Sequence, residues 1–66
     1  MTVIVNGTSR DLPDGARVSD LLRELGLVQT PCAVEVNREL VTRQRHDSCQ
    51  LRPGDRVELV TLVGGG

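Results

Sequence analysis

The residues best placed to do chemistry are Gly64, Gly65 and Gly66, which follow a hydrophobic run from Val57 to Val63 without a spacer. A tail of this kind offers one reactive group, an α-carboxylate, on a backbone with no side chains. Lacking Cβ atoms, the glycines can pass close to an enzyme wall and take any φ. The carboxylate has an ordinary pKa of about 3.3–3.7, so near neutrality it is ionised and a poor electrophile. It reacts as an acyl group only after conversion to a mixed anhydride, which needs another protein's site. Three extended residues reach only about 10 Å. The body of the protein must therefore press against whatever channel the tail enters. The plainer reading of such a tail is a frayed end without function.

Elsewhere the chain offers little reactive chemistry. His46 and Cys49 are three apart and could share the face of a helical turn, but two ligands do not make a zinc site. We expect no metal and no catalytic residue. Cys32 heads a strand and reads as a small packing residue, whereas Cys49 falls in a polar loop. Two cysteines are too few for a disulfide scaffold. All eight basic residues are Arg, so no lysine amine is available for acylation or Schiff-base chemistry.

Sixty-six residues make one small domain with a small core. With no aromatic residues, that core must be built from Val, Leu, Ile and Ala. A net charge of −1 and the absence of stacking platforms argue against nucleic acid. No apolar run reaches membrane-spanning length, and nothing before the first strand reads as a signal peptide. The expectation is a soluble cytoplasmic protein.

The elements that must position the tail follow from pattern. Thr2 to Asn6 is a strand by its β-branched content, and Asn6-Gly7 turns it into a returning strand at Arg10 to Leu12. Leu12-Pro13-Asp14-Gly15 fits a type I turn. Ser19 is the expected N-cap of a helix, with Asp20 in its first turn. Val18, Leu21, Leu22 and Leu25 form its apolar face, and Gly26 with Leu27 supplies a Schellman stop. Ala33 to Val36 and Glu39 to Val41 are strands around a tight turn at Asn37-Arg38. Thr42 to Gln50 is polar and aperiodic, a loop with room for a short helical turn. Arg52-Pro53-Gly54-Asp55 fits a type II turn, and a last strand runs from Arg56 to Val63.

Burial is best satisfied if the first and last strands lie side by side at the centre of the sheet. That arrangement is an α+β fold of the β-grasp kind, a mixed sheet of about five strands with one helix packed across one face. The predicted domain is 1–63, with 64–66 as a flexible tail. Alternation turns Val3, Val5, Val34, Val36, Val57 and Leu59 toward the helix. Ile4, Val60 and Leu62 then face the other side, along with Glu35 and Glu58. An uncovered apolar group ringed by charge reads as a docking surface, although small sheets commonly leave a few apolar residues exposed.

Taken in order, several stretches resemble the ThiS family. They are Val3-Ile4-Val5-Asn6-Gly7, Leu12-Pro13-Asp14-Gly15, Asp20-Leu21-Leu22-Arg23-Glu24-Leu25-Gly26-Leu27, Ala33-Val34-Glu35-Val36-Asn37, Pro53-Gly54-Asp55-Arg56-Val57-Glu58 and Gly65-Gly66. Those proteins are the sulfur carriers of thiamine biosynthesis, with a ubiquitin-like β-grasp fold. The chain departs from the family pattern at Arg38, where Gly is frequent after the hairpin Asn, and at Thr42, where Pro is frequent. The resemblance implies that Gly66 carries the sulfur, as an adenylate and then a thiocarboxylate, with Gly64 and Gly65 giving reach. It implies a ubiquitin-activating-like adenylyltransferase of the ThiF type, which uses ATP and magnesium, and a ThiG-type thiazole synthase. It also implies a sulfur donor such as a cysteine desulfurase relay. The carrier itself would hold no cofactor, and Ile4, Val60 and Leu62 would dock it. Related carriers for molybdopterin, cysteine or tRNA thiolation share this tail and fold, as do ubiquitin-like protein modifiers.

Overall fold

The structure is a computed structural model that describes residues 1–62. Its order is β1 (Thr2–Val5), β2 (Thr8–Asp11), α1 (Val18–Glu24), β3 (Cys32–Val36), β4 (Glu39–Val41), a 3₁₀ turn (Arg43–Arg45) and β5 (Arg56–Thr61). The five strands form one mixed sheet in the order β2-β1-β5-β3-β4. β1 and β5 run parallel at the centre, and every other pairing is antiparallel. This is the expected β-grasp arrangement.

Both hairpins turn on an Asn in the left-handed region. Asn6 has φ 49° and Gly7 φ 83°; Asn37 has φ 51° and Arg38 φ 70°. Two positive φ values in a row suit the right-handed twist of the strands on either side. Arg38 takes that conformation despite its Cβ, in the position where the family pattern favours Gly. The turn after β2 sits one residue later than the sequence pattern predicts. Ala16 N–H bonds to Pro13 C=O at 3.1 Å, so Gly15 with φ 85° is the third residue of the turn rather than the fourth. A positive φ at that place is what glycine permits most cheaply.

The helix start also differs from the expectation at Ser19. The N-cap is Arg17, and Ser19 lies inside the first turn. Three partners satisfy the free N–H groups of this end. Arg17 N–H donates to Asp20 Oδ2 at 2.8 Å. Val18 N–H reaches Cys49 C=O at 2.9 Å, and Ser19 N–H reaches His46 C=O at 3.0 Å. The polar loop after β4 thus caps the helix across the fold. The stop is as the pattern predicts: Leu27 N–H bonds to Leu22 C=O at 2.8 Å and Gly26 N–H to Arg23 C=O at 3.1 Å.

The core lies between α1 and one sheet face. Val3, Val18, Leu21, Val34, Val57 and Leu59 are all buried, as are Leu12, Ala16, Val41 and Leu51. Leu12, expected to end the returning strand, lies just past β2, and Leu51 comes from an aperiodic loop; alternation marks neither as core. Val5 and Val36, both expected inward, are only half-buried. A seven-residue helix spans about 10 Å and does not cover the whole face. The last strand ends at Thr61 rather than Val63, which lies outside the described residues with the rest of 63–66.

Candidate functional site

The expected sulfur-carrying residue, Gly66, and its neighbours Gly64 and Gly65 lie outside the described residues. The structure does show the strand that leads to them. β5 pairs with β3 along its whole length, from Val36↔Val57 to Cys32↔Thr61. Leu62 N–H extends that side with a bond to Pro31 C=O at 2.8 Å. On the β1 side, backbone pairing reaches only Ile4↔Arg56 and Val5↔Val57. There β1 turns away at Asn6, and the side chain of Asn6 takes over. Its Nδ2 donates to Leu59 C=O at 3.1 Å, and Leu59 N–H donates to its Oδ1 at 2.8 Å. One carboxamide thereby makes the two bonds that the backbone of a longer β1 would make. The sequence pattern gives Asn6 only as a turn residue.

The face without a helix carries the remaining candidates. Glu58 and Val60 of β5 point there, since Val57 and Leu59 are buried on the other side. Ile4 pairs with Arg56, so it sits on the same face and is half-buried. Ile4 and Val60 are offset by four residues along the strands, roughly 13 Å at about 3.3 Å per residue. They therefore bracket Glu58 instead of touching. A shallow hollow beside Val60 is lined by Ala33, Glu35, Arg38 and Glu58. Leu62 is 53% exposed but borders a different hollow, with Leu22, Leu27, Val28 and Cys32 on the helix side. The structure thus separates Leu62 from Ile4 and Val60. Leu40, 64% exposed and paired with Glu35, joins this face; alternation along a three-residue strand is too short a signal to single it out.

Glu35 and Glu58 stand directly opposite each other on β3 and β5. Both are exposed, and neither takes part in any ion pair among the described residues. Like charges in that arrangement destabilise a sheet by a few tenths of a kcal/mol or more, a cost that a cationic partner surface would reverse.

The His46–Cys49 pair has a structural role. His46 is half-buried, with Nε2 3.2 Å from Val41 C=O, and its own C=O caps the helix. Cys49 and Cys32 both pack against the core, and both are free thiols. Cys49 is therefore less exposed than a polar-loop position suggests. Among the described residues no three His, Cys, Asp or Glu side chains cluster as metal ligands. No helix there is long and apolar enough to cross a membrane.

A five-stranded β-grasp whose central strand leads into glycines defines the ubiquitin-like class of carriers and modifiers. The chain belongs to the ThiS family, whose sequence pattern matches residues 3–66, and members of that family are sulfur carriers of thiamine biosynthesis. The crystal structure of a thiamine biosynthesis protein (ThiS) from Geobacter metallireducens superposes with a TM-score of 0.83 at 32% identity, covering 100% of both chains. The chain is also 35% identical over 66 residues to a thiazole synthase from Paramagnetospirillum magneticum. It is 32% identical over the same length to one from Magnetococcus marinus. All of this chain aligns in each case, yet it spans only 20% of either synthase's length.

Proposed function

We propose that the protein is a cosubstrate that carries sulfur on Gly66 and hands it to a thiazole synthase. The observation that carries this reading is the family match through residue 66, with the glycines following the central strand in sequence after only Leu62 and Val63. An activating enzyme of the ThiF type supplies ATP and magnesium. The Gly66 carboxylate attacks the α-phosphorus of ATP and pyrophosphate leaves, giving an acyl adenylate. A persulfide sulfur from a donor such as a cysteine desulfurase relay then displaces AMP at the acyl carbon. Cleavage of its S–S bond by a second thiol leaves the thiocarboxylate. The carrier holds no cofactor and supplies no general acid or base; it supplies the acyl group, the reach of Gly64 and Gly65, and a docking surface.

Ile4, Val60 and Leu62 are the docking residues in this reading. Ile4 and Val60 engage one wall of the partner, and Leu62, on the helix side, engages another. A ThiG-type thiazole synthase as the acceptor is supported by the likeness to part of two thiazole synthases. These steps belong to the cytoplasm, where ATP and reduced thiols are available.

The test is the intact mass of the untagged protein after incubation with its activating enzyme, ATP, magnesium and a sulfur donor. The expected product is heavier by one oxygen-to-sulfur exchange, mapped to Gly66. An unchanged mass under conditions that adenylate a known carrier would overturn the reading, as would thiazole formation by a protein lacking Gly66.

A further inference from the structure

We propose that Asn6 is a positioning residue for tail transfer: its side chain holds β5 at Leu59, and so fixes the part of the strand that leads toward the tail. The inference rests on the carrier reading above. On the β3 side β5 is paired out to Leu62. On the β1 side the last backbone bond is Asn6 N–H to Val57 C=O at 2.9 Å. Beyond it, the two bonds between the Asn6 carboxamide and Leu59 are the hydrogen bonds that hold this edge among the described residues. Among the described residues, Val60, Thr61 and Leu62 are held from the β3 side alone, and without the Asn6 bonds Leu59 would join them, so that the freely pivoting stretch would begin just past Val57.

A second Asn provides the comparison. Asn37 occupies the same position in the other hairpin and also bonds β5, but at its start. Arg56 N–H donates to Asn37 Oδ1 at 3.0 Å, and Asn37 N–H donates to Arg56 C=O at 2.7 Å. Both residues have similar positive φ values, and both clamp the same strand. Asn37 bonds β5 at Arg56, whereas Asn6 bonds it at Leu59, nearer the end that leads toward the tail. If the clamps served stability alone, losing either would have the same consequence for transfer.

Asn6→Gly and Asn37→Gly keep the positive φ of each turn and remove the carboxamide. Both are measured as full chains in steady-state sulfur loading by the activating enzyme, at a temperature where each is folded. Misplacement of a reacting group by about 1 Å can cost on the order of a hundredfold in rate. Docking by the unaltered sheet face leaves KM unchanged. The expected result for Asn6→Gly is a kcat lowered about tenfold or more with KM within about twofold, while Asn37→Gly stays near wild type. Amide exchange at Leu59, whose N–H the Asn6 side chain accepts, should accelerate in Asn6→Gly alone.

A kcat for Asn6→Gly within about twofold of wild type overturns the positioning role while leaving the carrier reading intact. So does an equal loss in both variants, which marks a general effect of stability. Failure of the wild-type chain to load overturns the carrier reading itself. Should Asn6→Gly not fold, Asn6→Asp keeps the acceptor for Leu59 N–H and loses the donor. It is expected to show a smaller fall in kcat, and an unchanged kcat there counts against the proposal equally.

Discussion

Individual residues carry effects that their types alone make predictable. Asp20 accepts the Arg17 N–H at 2.8 Å, and Arg23 donates to its other oxygen at 3.0 Å. The backbone bond first, and then the arginine, hold its carboxyl below the ordinary aspartate value. A carboxylate whose folded pKa is lowered stabilises the fold above its unfolded value, about 3.9. That contribution is lost as pH falls through the lower folded value. Asp20→Asn should therefore flatten the acid limb of a stability–pH profile followed by circular dichroism. Arg38 is strained by its φ of 70°, where a left-handed L-residue costs about 1–2 kcal/mol and Gly regains part of that against its own entropy. Arg38→Gly should raise the urea midpoint, by about 0.5–1 kcal/mol of stability. An unchanged or lower midpoint would show that the Arg38 side chain contributes more than its backbone costs.

Among the elements, the helix is the most exposed to single changes. Leu21 is fully buried beneath it, and Leu→Ala at such a site costs about 2–5 kcal/mol. A domain of this size has about 3–10 kcal/mol in total, so Leu21→Ala should lower the melting temperature steeply or leave the chain unfolded at 37 °C. Gly26→Ala meets no steric neighbour, so its cost, about 1–2 kcal/mol, comes from φ alone. The stop of this helix was legible because Gly26 and Leu27 form a local motif. Its start was not, because the N-terminal N–H groups find His46 and Cys49 carbonyls far along the chain. Ser19 has the right chemistry for a cap, but burial of Val18 pulls the helix two residues further back.

At the scale of the whole molecule, the sheet order followed from placing the two Val-rich strands together, and the inward set was largely right. Leu51 is not marked as core because a loop has no period to read, and Leu12 because a three-residue strand is too short to show one. Leu62 leaves the helix-free face because the strand, expected to run to Val63, ends at Thr61, and alternation does not hold beyond it. The proposed docking surface is smaller than a continuous apolar patch, and Glu35 and Glu58 are part of it. Val60, 59% exposed, makes a direct test. Val60→Asp should weaken binding to the activating enzyme about tenfold, with stability changed by less than about 0.5 kcal/mol. Calorimetric titration measures the first and urea unfolding the second. Glu58→Gln relieves the repulsion from Glu35 and should stabilise the free protein slightly. The same change should weaken the complex if that pair meets a cation; a complex unaffected at low salt would remove the carboxylates from the interface.

The parallel pairing of β1 with β5 also constrains how the molecule is made. β5 is the last of the described strands and occupies the middle of the sheet. Before it arrives, the β1–β2 and β3–β4 hairpins have no strand between them, and the helix has only half a surface to rest on. Pairing Val5 with Val57 closes a loop of some fifty residues, a non-local contact of the kind that slows folding relative to chain length. A nascent chain would remain open until β5 is free to insert. The strand that leads toward the glycines is thus also the one that completes the sheet, so under the proposed function a chain that has not closed lacks the face on which an activating enzyme would dock.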